Sequence, residues 1–333
     1  MKSESQKEYG GCLYFETSID NKEYYSAWDK CKIDVDSGRS ALQFILENYN
    51  FKRIWLPVYN CPLVGKRIEQ NPRIEICWYN IDDNFRPIID KTRLLQGDCL
   101  LWVNYCGVMP QALIDEIVAL QERTPVKVIV DNIPAYFSQP RMSAFNIYSC
   151  RKFIGVPDGG HIIGNAIEPK QLPTYSTARN YFYLLKAMES GSNSAYEDYQ
   201  KSESRFTESD IAYGMPILTQ KMLKSVNYGG VIKKRKSNFN ILYSSLNESN
   251  RLKLDAATMT PSVYPYLTSN KNLREKLLEN KIYVSRFWKH VLTNKLANEF
   301  EKDLAEYLIP LPIDQRYDES DMQYIATMVK RWN

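Results

Sequence analysis

Histidine is scarce in this sequence. His161 and His290 are the only two among 333 residues. A His-rich metal centre, or chemistry passed between several imidazoles, is therefore nearly excluded. The cysteines Cys12, Cys31, Cys61, Cys77, Cys99, Cys106 and Cys150 are odd in number and form no CxxC pair. Neither a zinc site nor a disulfide framework is expected, and reduced thiols in a cytosolic protein are the simple reading. No apolar run reaches the roughly 18 residues that a membrane-spanning helix needs. Residues 1–11 are polar and mixed in charge, without the apolar core of a secretory signal, so a cytoplasmic location is expected. Charge of one sign is not in excess either: 43 basic residues face 39 acidic ones, a formal net charge of +4. Nothing in that balance implies a nucleic-acid partner or a membrane surface. The short run Lys233-Lys234-Arg235-Lys236 reads as the solvated face of a helix. GxGxxG and GxxxxGK[ST] are both absent, so a nicotinamide dehydrogenase or a P-loop enzyme lacks its expected signal. There is no internal repeat and no low-complexity tract.

What is present is an ordinary globular composition, 44% hydrophobic and 25% charged, in a length that fits one large and one small domain. Short apolar runs at 53–56, 74–78, 99–103, 126–130 and 145–149 read as strands. Helical patterns at 40–49, 61–70 and 111–123 lie between them. Such alternation indicates βαβ units and a mostly parallel sheet. Residues 176–245 are helical in pattern and rich in tyrosine, with Pro216 suited to the first turn of a helix at 217–226. A long connection is expected to begin within 237–246. Beyond it come strands at 264–267 and 282–284, helices at 273–279, 299–307 and 319–331, and a strand-like 308–311. The expectation is an α/β protein with a large domain over 1–240 and a small α+β domain over 241–333.

Ligands of parallel sheets bind at the carboxyl ends of the strands, so polar residues there are the candidates. Asp131 ends the most apolar strand. A carboxylate at that place is costly to bury unless paired, although a helix N-cap is an alternative role. Ser149-Cys150-Arg151-Lys152 follows the next strand, and Gly155-Val156-Pro157-Asp158-Gly159-Gly160 comes soon after. The serine can donate to a phosphate, the lysine can form an imine with an aldehyde, and the glycines permit close backbone approach. A solvated loop lysine would look the same in isolation. Ser37-Gly38-Arg39-Ser40-Ala41-Leu42 opens a helix whose first N–H groups make an anion site, or simply a Ser-capped start.

The order of these pieces resembles the fold-type-I pyridoxal-phosphate (PLP) enzymes and, within them, the DegT/DnrJ/EryC1/StrS sugar aminotransferases. Ser37-Gly38-Arg39-Ser40-Ala41-Leu42 is similar to the family's Ser-Gly-Thr-x-Ala-Leu phosphate turn, and Leu56-Pro57-Val58-Tyr59-Asn60-Cys61 to its strand–Pro–aromatic segment. Asp131 matches the aspartate on the pyridine nitrogen, Lys152 the Schiff-base lysine, and Gly159-Gly160 the glycines that follow it. Ile309-Pro310-Leu311-Pro312-Ile313 and Met322 resemble the C-terminal lobe. The resemblance implies a PLP-dependent aminotransferase, active as a homodimer, that moves an amino group from glutamate to a nucleotide-linked keto sugar. Gly38, Arg39, Ser40 and Ser149 would hold the phosphate, and Tyr59, Cys61, Asn104 and Asp131 would surround the ring.

Three positions depart from the pattern. Pro134 stands where the family has Gln or His against the cofactor's phenolic oxygen, for which Asn132 or Asn104 is a substitute. The ring-stacking aromatic falls at or next to Cys61, with Tyr59 nearby. Ile211-Ala212-Tyr213-Gly214-Met215 replaces a segment that gives the partner subunit's phosphate an asparagine. Sugar dehydration, which relatives perform with histidine in place of the lysine, is disfavoured by Lys152. A non-catalytic relative that binds PLP or a sugar nucleotide is the alternative from another class.

Overall fold

The computed structural model describes residues 22–208, 211–256 and 259–333. Residues 1–11 and Cys12, which entered the reading of location and thiol state, lie outside the described residues.

The first half builds the sheet. Strand β1 (Lys32–Val35) leads into helix α1 (Gly38–Asn48), β2 (Arg53–Pro57), α2 (Pro62–Glu69), β3 (Glu75–Ile81), β4 (Pro87–Ile88) and β5 (Asp98–Val103). Helix α3 (Gln111–Val118) and the short α4 (Leu120–Arg123) precede β6 (Lys127–Asp131), β7 (Phe145–Ser149) and β8 (Gly160–Ile163). The eight strands run in the order β1-β8-β7-β6-β5-β2-β3-β4. Neighbours from β7 across to β3 are parallel, while β8 on β7, β1 on β8 and β4 on β3 are antiparallel. The mostly parallel sheet expected from alternating strands and helices is therefore present. Strand β5 is buried along its whole length, as a strand covered on both faces must be. Helix α1 buries Ala41, Leu42, Phe44 and Ile45, a spacing that keeps apolar side chains on one side of a 3.6-residue turn.

Helices α5 (Phe182–Ser190), α6 (Tyr196–Glu208), α7 (Ile217–Lys224) and α8 (Tyr228–Leu246) follow. The chain ends with β9 (Val263–Leu267), α9 (Leu273–Glu279), α10 (Glu299–Tyr307), β10 (Leu308–Pro312) and α11 (Glu319–Trp332), β9 and β10 forming an antiparallel pair. Pro216 sits one residue before the first turn, as the N-cap of α7.

Three expectations need correction. Residues 237–246 are the end of α8, not a connection: Phe239, Leu242 and Leu246 point one way into a second core with Tyr264, Leu277 and Met322. The helix thus crosses position 240. Residues 282–284 have no strand partner; Ile282 and Val284 are buried, and Arg274 takes the Val284 carbonyl at 3.0 Å in place of a ladder. Nor is Arg235, in the basic run, solvated. It is 3% exposed, its guanidinium lies 4.7 Å from the Phe153 ring centroid, and it donates to the Phe153 carbonyl and to Gln315. Among the described residues, no helix is long and apolar enough to cross a membrane.

Candidate active site

Strands β6 and β7 are parallel neighbours, with Asp131 opposite Ile147. Their carboxyl ends therefore deliver Asp131 and Ser149 to the same edge of the sheet. A single 3-10 turn, Cys150–Lys152, then carries the lysine round. Beside them stands the N-terminus of α1, where the Ser37 hydroxyl caps the Ser40 N–H at 3.1 Å. These elements wall a cavity of about 330 Å³. It is lined by Gly38, Arg39, Cys61, Asp131, Ser149 and Lys152, six of the nine residues singled out in the sequence.

Lys152 lines this cavity. Its side chain is open to the cavity space yet deep within the protein. Loss of bulk water lowers its pKa from the ordinary lysine value, and the nearby Arg151 charge lowers it further, while Cys61 and Asp131 oppose the shift. Asp131 is 5% exposed and accepts the Ile133 N–H at 2.9 Å. Burial raises its carboxyl to about 6, against the pull of that N–H and of Lys152. The pair thus combines an amine pushed towards neutrality with a carboxyl that a positive neighbour would ionise.

The loop bearing Lys152 is held from two sides. The Cys150 N–H donates to the Gly159 carbonyl at 2.9 Å, closing β7 onto β8. From the C-terminal part of the chain, Gln315 donates to the Phe153 carbonyl at 2.8 Å and Arg235 to the same oxygen at 3.3 Å. Backbone conformation also matters here: Gly159 has φ +103°, in the region that glycine tolerates best.

Ser40, Tyr59 and Asn104 lie off the cavity. The Ser40 hydroxyl accepts from the Tyr213 N–H at 3.3 Å and faces a neighbouring cavity. Tyr59 lines an aromatic chamber on another side of Lys152, its ring 4.5 Å from Trp288 and 5.8 Å from Tyr105. Asn104 is buried and donates to Asn132 at 2.8 Å and to Ser138 at 3.3 Å. Neither Asn104 nor Asn132 lines the cavity, so Pro134, which does, has no amide standing in for it there.

Several cavity residues carried no sequence signal. Ile133 comes two residues after Asp131 and Arg67 from α2. Tyr183, Tyr199 and Glu203 come from α5 and α6, with Glu203 paired to Arg151. Trp288 reaches in from the C-terminal part of the chain with a left-handed backbone, φ 50°.

No protein-family model matches the sequence, and no curated protein sequence matches it significantly. Solved structures do match. An aminotransferase described as DegT DnrJ EryC1 StrS, from Brucella abortus, is 13% identical, covers 90% of this chain and 85% of its own, and has a TM-score of 0.62. Spr1654 from Streptococcus pneumoniae, in its PMP form, is 14% identical over 92% and 89% of the two chains, with a TM-score of 0.64. PseC of Helicobacter pylori, an aminotransferase of pseudoaminic acid biosynthesis, is 14% identical over 90% and 86%, with a TM-score of 0.60. The chain has the fold of these proteins.

Proposed function

We propose that this chain is a PLP-dependent aminotransferase that holds its cofactor on Lys152 and transfers an amino group, from glutamate, to a nucleotide-linked keto sugar. The carrying observation is the convergence of Lys152 and Asp131, from consecutive strand ends, on one cavity that also contains a helix N-terminus. The residues present fit the group. Asp131 is a buried carboxyl with an oxygen free of protein donors other than Ile133, suited to a protonated ring nitrogen. Lys152, whose pKa burial lowers, is the amine placed to attack an aldehyde, a step that needs its unprotonated form. Ser149, the first N–H groups of α1, Arg39 and Arg151 supply donors and positive charge for a phosphate. Cys61 and Ile133 are the small and the branched side chains left to flank a planar ring.

When bound, the cofactor supplies an electron sink for the amino-bearing carbon. The protein's share is then positional and electrostatic. Asp131 would hold a proton on the ring nitrogen, and the Lys152 amine would move a proton at the substrate carbon. Gln315 and Arg235, through the Phe153 carbonyl, fix the loop from which Lys152 acts.

The sugar class rests on structural neighbours that include the sugar aminotransferase CalS13 from Micromonospora echinospora, and the nucleotide and glutamate on the sequence resemblance. A homodimer is part of the reading. Helices α5 and α6 beside the cavity expose Phe182, Leu185, Met188 and Tyr196, four large apolar side chains that a second copy would cover. Residues 1–240 are read as the cofactor-binding unit, 241–333 as the smaller one, and the cytoplasm as the site of action.

The deciding experiment is ultraviolet–visible spectroscopy of purified protein with PLP. The expected outcome is a visible band that glutamate converts to the shorter-wavelength absorbance of the aminated cofactor, and that a keto sugar nucleotide restores. Absence of any visible band would overturn the cofactor assignment. A band indifferent to every amino donor would favour the non-catalytic alternative, which the missing donor at Pro134 keeps in view.

A further inference from the structure

Next to the cavity holding Lys152 lies a larger one, about 490 Å³, that shares Ser37, Arg39 and Arg67 with it. Arg39, Arg67 and Arg205 line the second cavity, and Asp36 is the one acid among its described lining residues. The Phe206 ring gathers two of these charges: the Arg205 guanidinium is 4.4 Å from its centroid and that of Arg39 is 5.8 Å away. Arg39 Nη1 and Arg205 Nε and Nη1 are buried and have no hydrogen-bond partner. Arg205 spends only its Nη2, on the Pro157 carbonyl and on Asp158 at 3.2 Å. Guanidiniums remain charged in proteins, so crowded, unpartnered ones call for an anion.

Asp36 provides a second, independent feature. It is 4% exposed; its Oδ2 accepts the Tyr175 hydroxyl at 3.1 Å, and its Oδ1 is buried without a partner. A carboxylate oxygen next to a guanidinium cluster matches a ligand that carries both an anionic group and a hydroxyl.

We propose that this second cavity binds a phosphorylated polyol, with the phosphoryl group on the Arg39 and Arg205 guanidiniums and a hydroxyl on Asp36. The proposal rests on the reading of the adjoining cavity as the PLP site, because it assigns the second anion to a ligand other than the cofactor. The cofactor phosphate does not account for these residues: Asp36, Gln43, Asn180 and Arg205 line the second cavity and not the one with Lys152. Two anions would then sit on either side of the α1 N-terminus, with Arg39 serving both.

The test is calorimetric titration of protein saturated with PLP, using ribose 5-phosphate and inorganic phosphate as probes. Ribose 5-phosphate is expected to bind one per chain, with the visible band retained, and at least about tenfold more tightly than phosphate. Arg205→Gln should weaken both probes about tenfold or more. Asp36→Asn should lower only the advantage of the sugar phosphate. Since Arg205 also pairs with Asp158, Gln43→Glu supplies a second variant that adds a carboxylate to the cavity and leaves that pair alone; it too should weaken both probes. Binding that displaces PLP, or that occurs only without PLP, would assign the arginines to the cofactor phosphate and overturn the proposal. So would equal affinity for the two probes with no response to Gln43→Glu. Protein that takes up no PLP yet binds ribose 5-phosphate with these sensitivities would remove the cofactor reading and leave the second site standing.

Discussion

Gly38 touches Ile133 so closely that a methyl group on its α-carbon would lie 2.8 Å from Ile133 Cγ1 and overlap Cδ1. The contact joins the helix N-terminus of the candidate phosphate site to the residue two places beyond Asp131. Both residues line the cavity with Lys152. The glycine leaves room for the Ile133 side chain between two cavity walls, and its helical position asks for no special backbone angle.

Gly38→Ala should push the Ile133 side chain into the cavity and weaken PLP binding by about tenfold, or about 1.4 kcal/mol. Adding Ile133→Ala removes the overlapping atoms and should recover most of that loss. PLP titrations followed by absorbance on the two single variants and the double variant make a thermodynamic cycle. Strict additivity would mean that the two residues do not meet.

Lys152→Ala should yield a protein with no visible band and no amino transfer, with circular dichroism unchanged. Anchor and proton carrier disappear together because both are the same amine. Borohydride reduction should trap PLP on one lysine in the wild type and on none in the variant. A single trapped lysine in Lys152→Ala would reassign the site. Lys127→Ala, exposed at the start of β6, serves as the control that keeps its colour.

Gly160 pairs with both Val35 and Ser149 in the sheet, and a Cβ there would run into the Tyr148 carbonyl. A carbonyl in a ladder cannot step aside as a side-chain tip can. Gly160→Ala should cost about 1–3 kcal/mol of stability, the range for overpacking a buried site, measured as a lowered denaturant midpoint. A midpoint within error of wild type would show that β8 shifts freely.

The parts of the site that were legible in the sequence are those set by strand ends. Asp131, Ser149 and Lys152 follow apolar runs that can only be central strands, and a parallel sheet brings such ends to one edge. Ser40 shows where adjacency in sequence misleads. Two residues along a helix is a turn of about 200°, so a hydroxyl close to Gly38 in sequence faces the next cavity. Tyr59 follows from the family's strand–Pro–aromatic segment and Asn104 from the donor missing at Pro134; in the structure aromatic contacts hold the first off the Lys152 cavity and buried amide hydrogen bonds the second. Arg235 and Trp288 were out of reach because their roles depend on long-range contacts, Arg235 with the Phe153 carbonyl and Trp288 with Tyr59. The apolar pair Ile282 and Val284 has the alternation of a strand but no neighbour to complete one.

Exposed apolar side chains on α5 allow a direct test of assembly. Leu185→Asp with Met188→Asp, at positions 53% and 85% exposed, should leave the fold intact and halve the mass seen by light scattering at micromolar concentration. A wild-type monomer in the presence of PLP would remove the dimer from the reading.

Asp131→Asn separates the folding role of the carboxyl from its role towards the cofactor. In the protein without PLP, burial holds the Asp131 carboxyl near pH 6, above its ordinary value of 3.8. The folded state therefore binds a proton more tightly than the unfolded one, and stability contributed by the protonated form falls as pH rises from about 4 to about 6. Above pH 6 the buried charge is a liability, at most about 3 kcal/mol for a shift of about two units. Asparagine carries no such charge. PLP-free Asp131→Asn should accordingly be more stable than wild type at pH 8 and close to it at pH 4, where the folded-state carboxyl is protonated. With PLP bound the order should reverse at pH 8, because the wild-type carboxylate then has a cationic partner, a charge-assisted bond of about 1.5–3 kcal/mol. Denaturant midpoints at the two pH values, with and without PLP, give four comparisons. A variant less stable than wild type at pH 8 without PLP would mean that Asp131 is already paired within the protein and not held in reserve for a ligand.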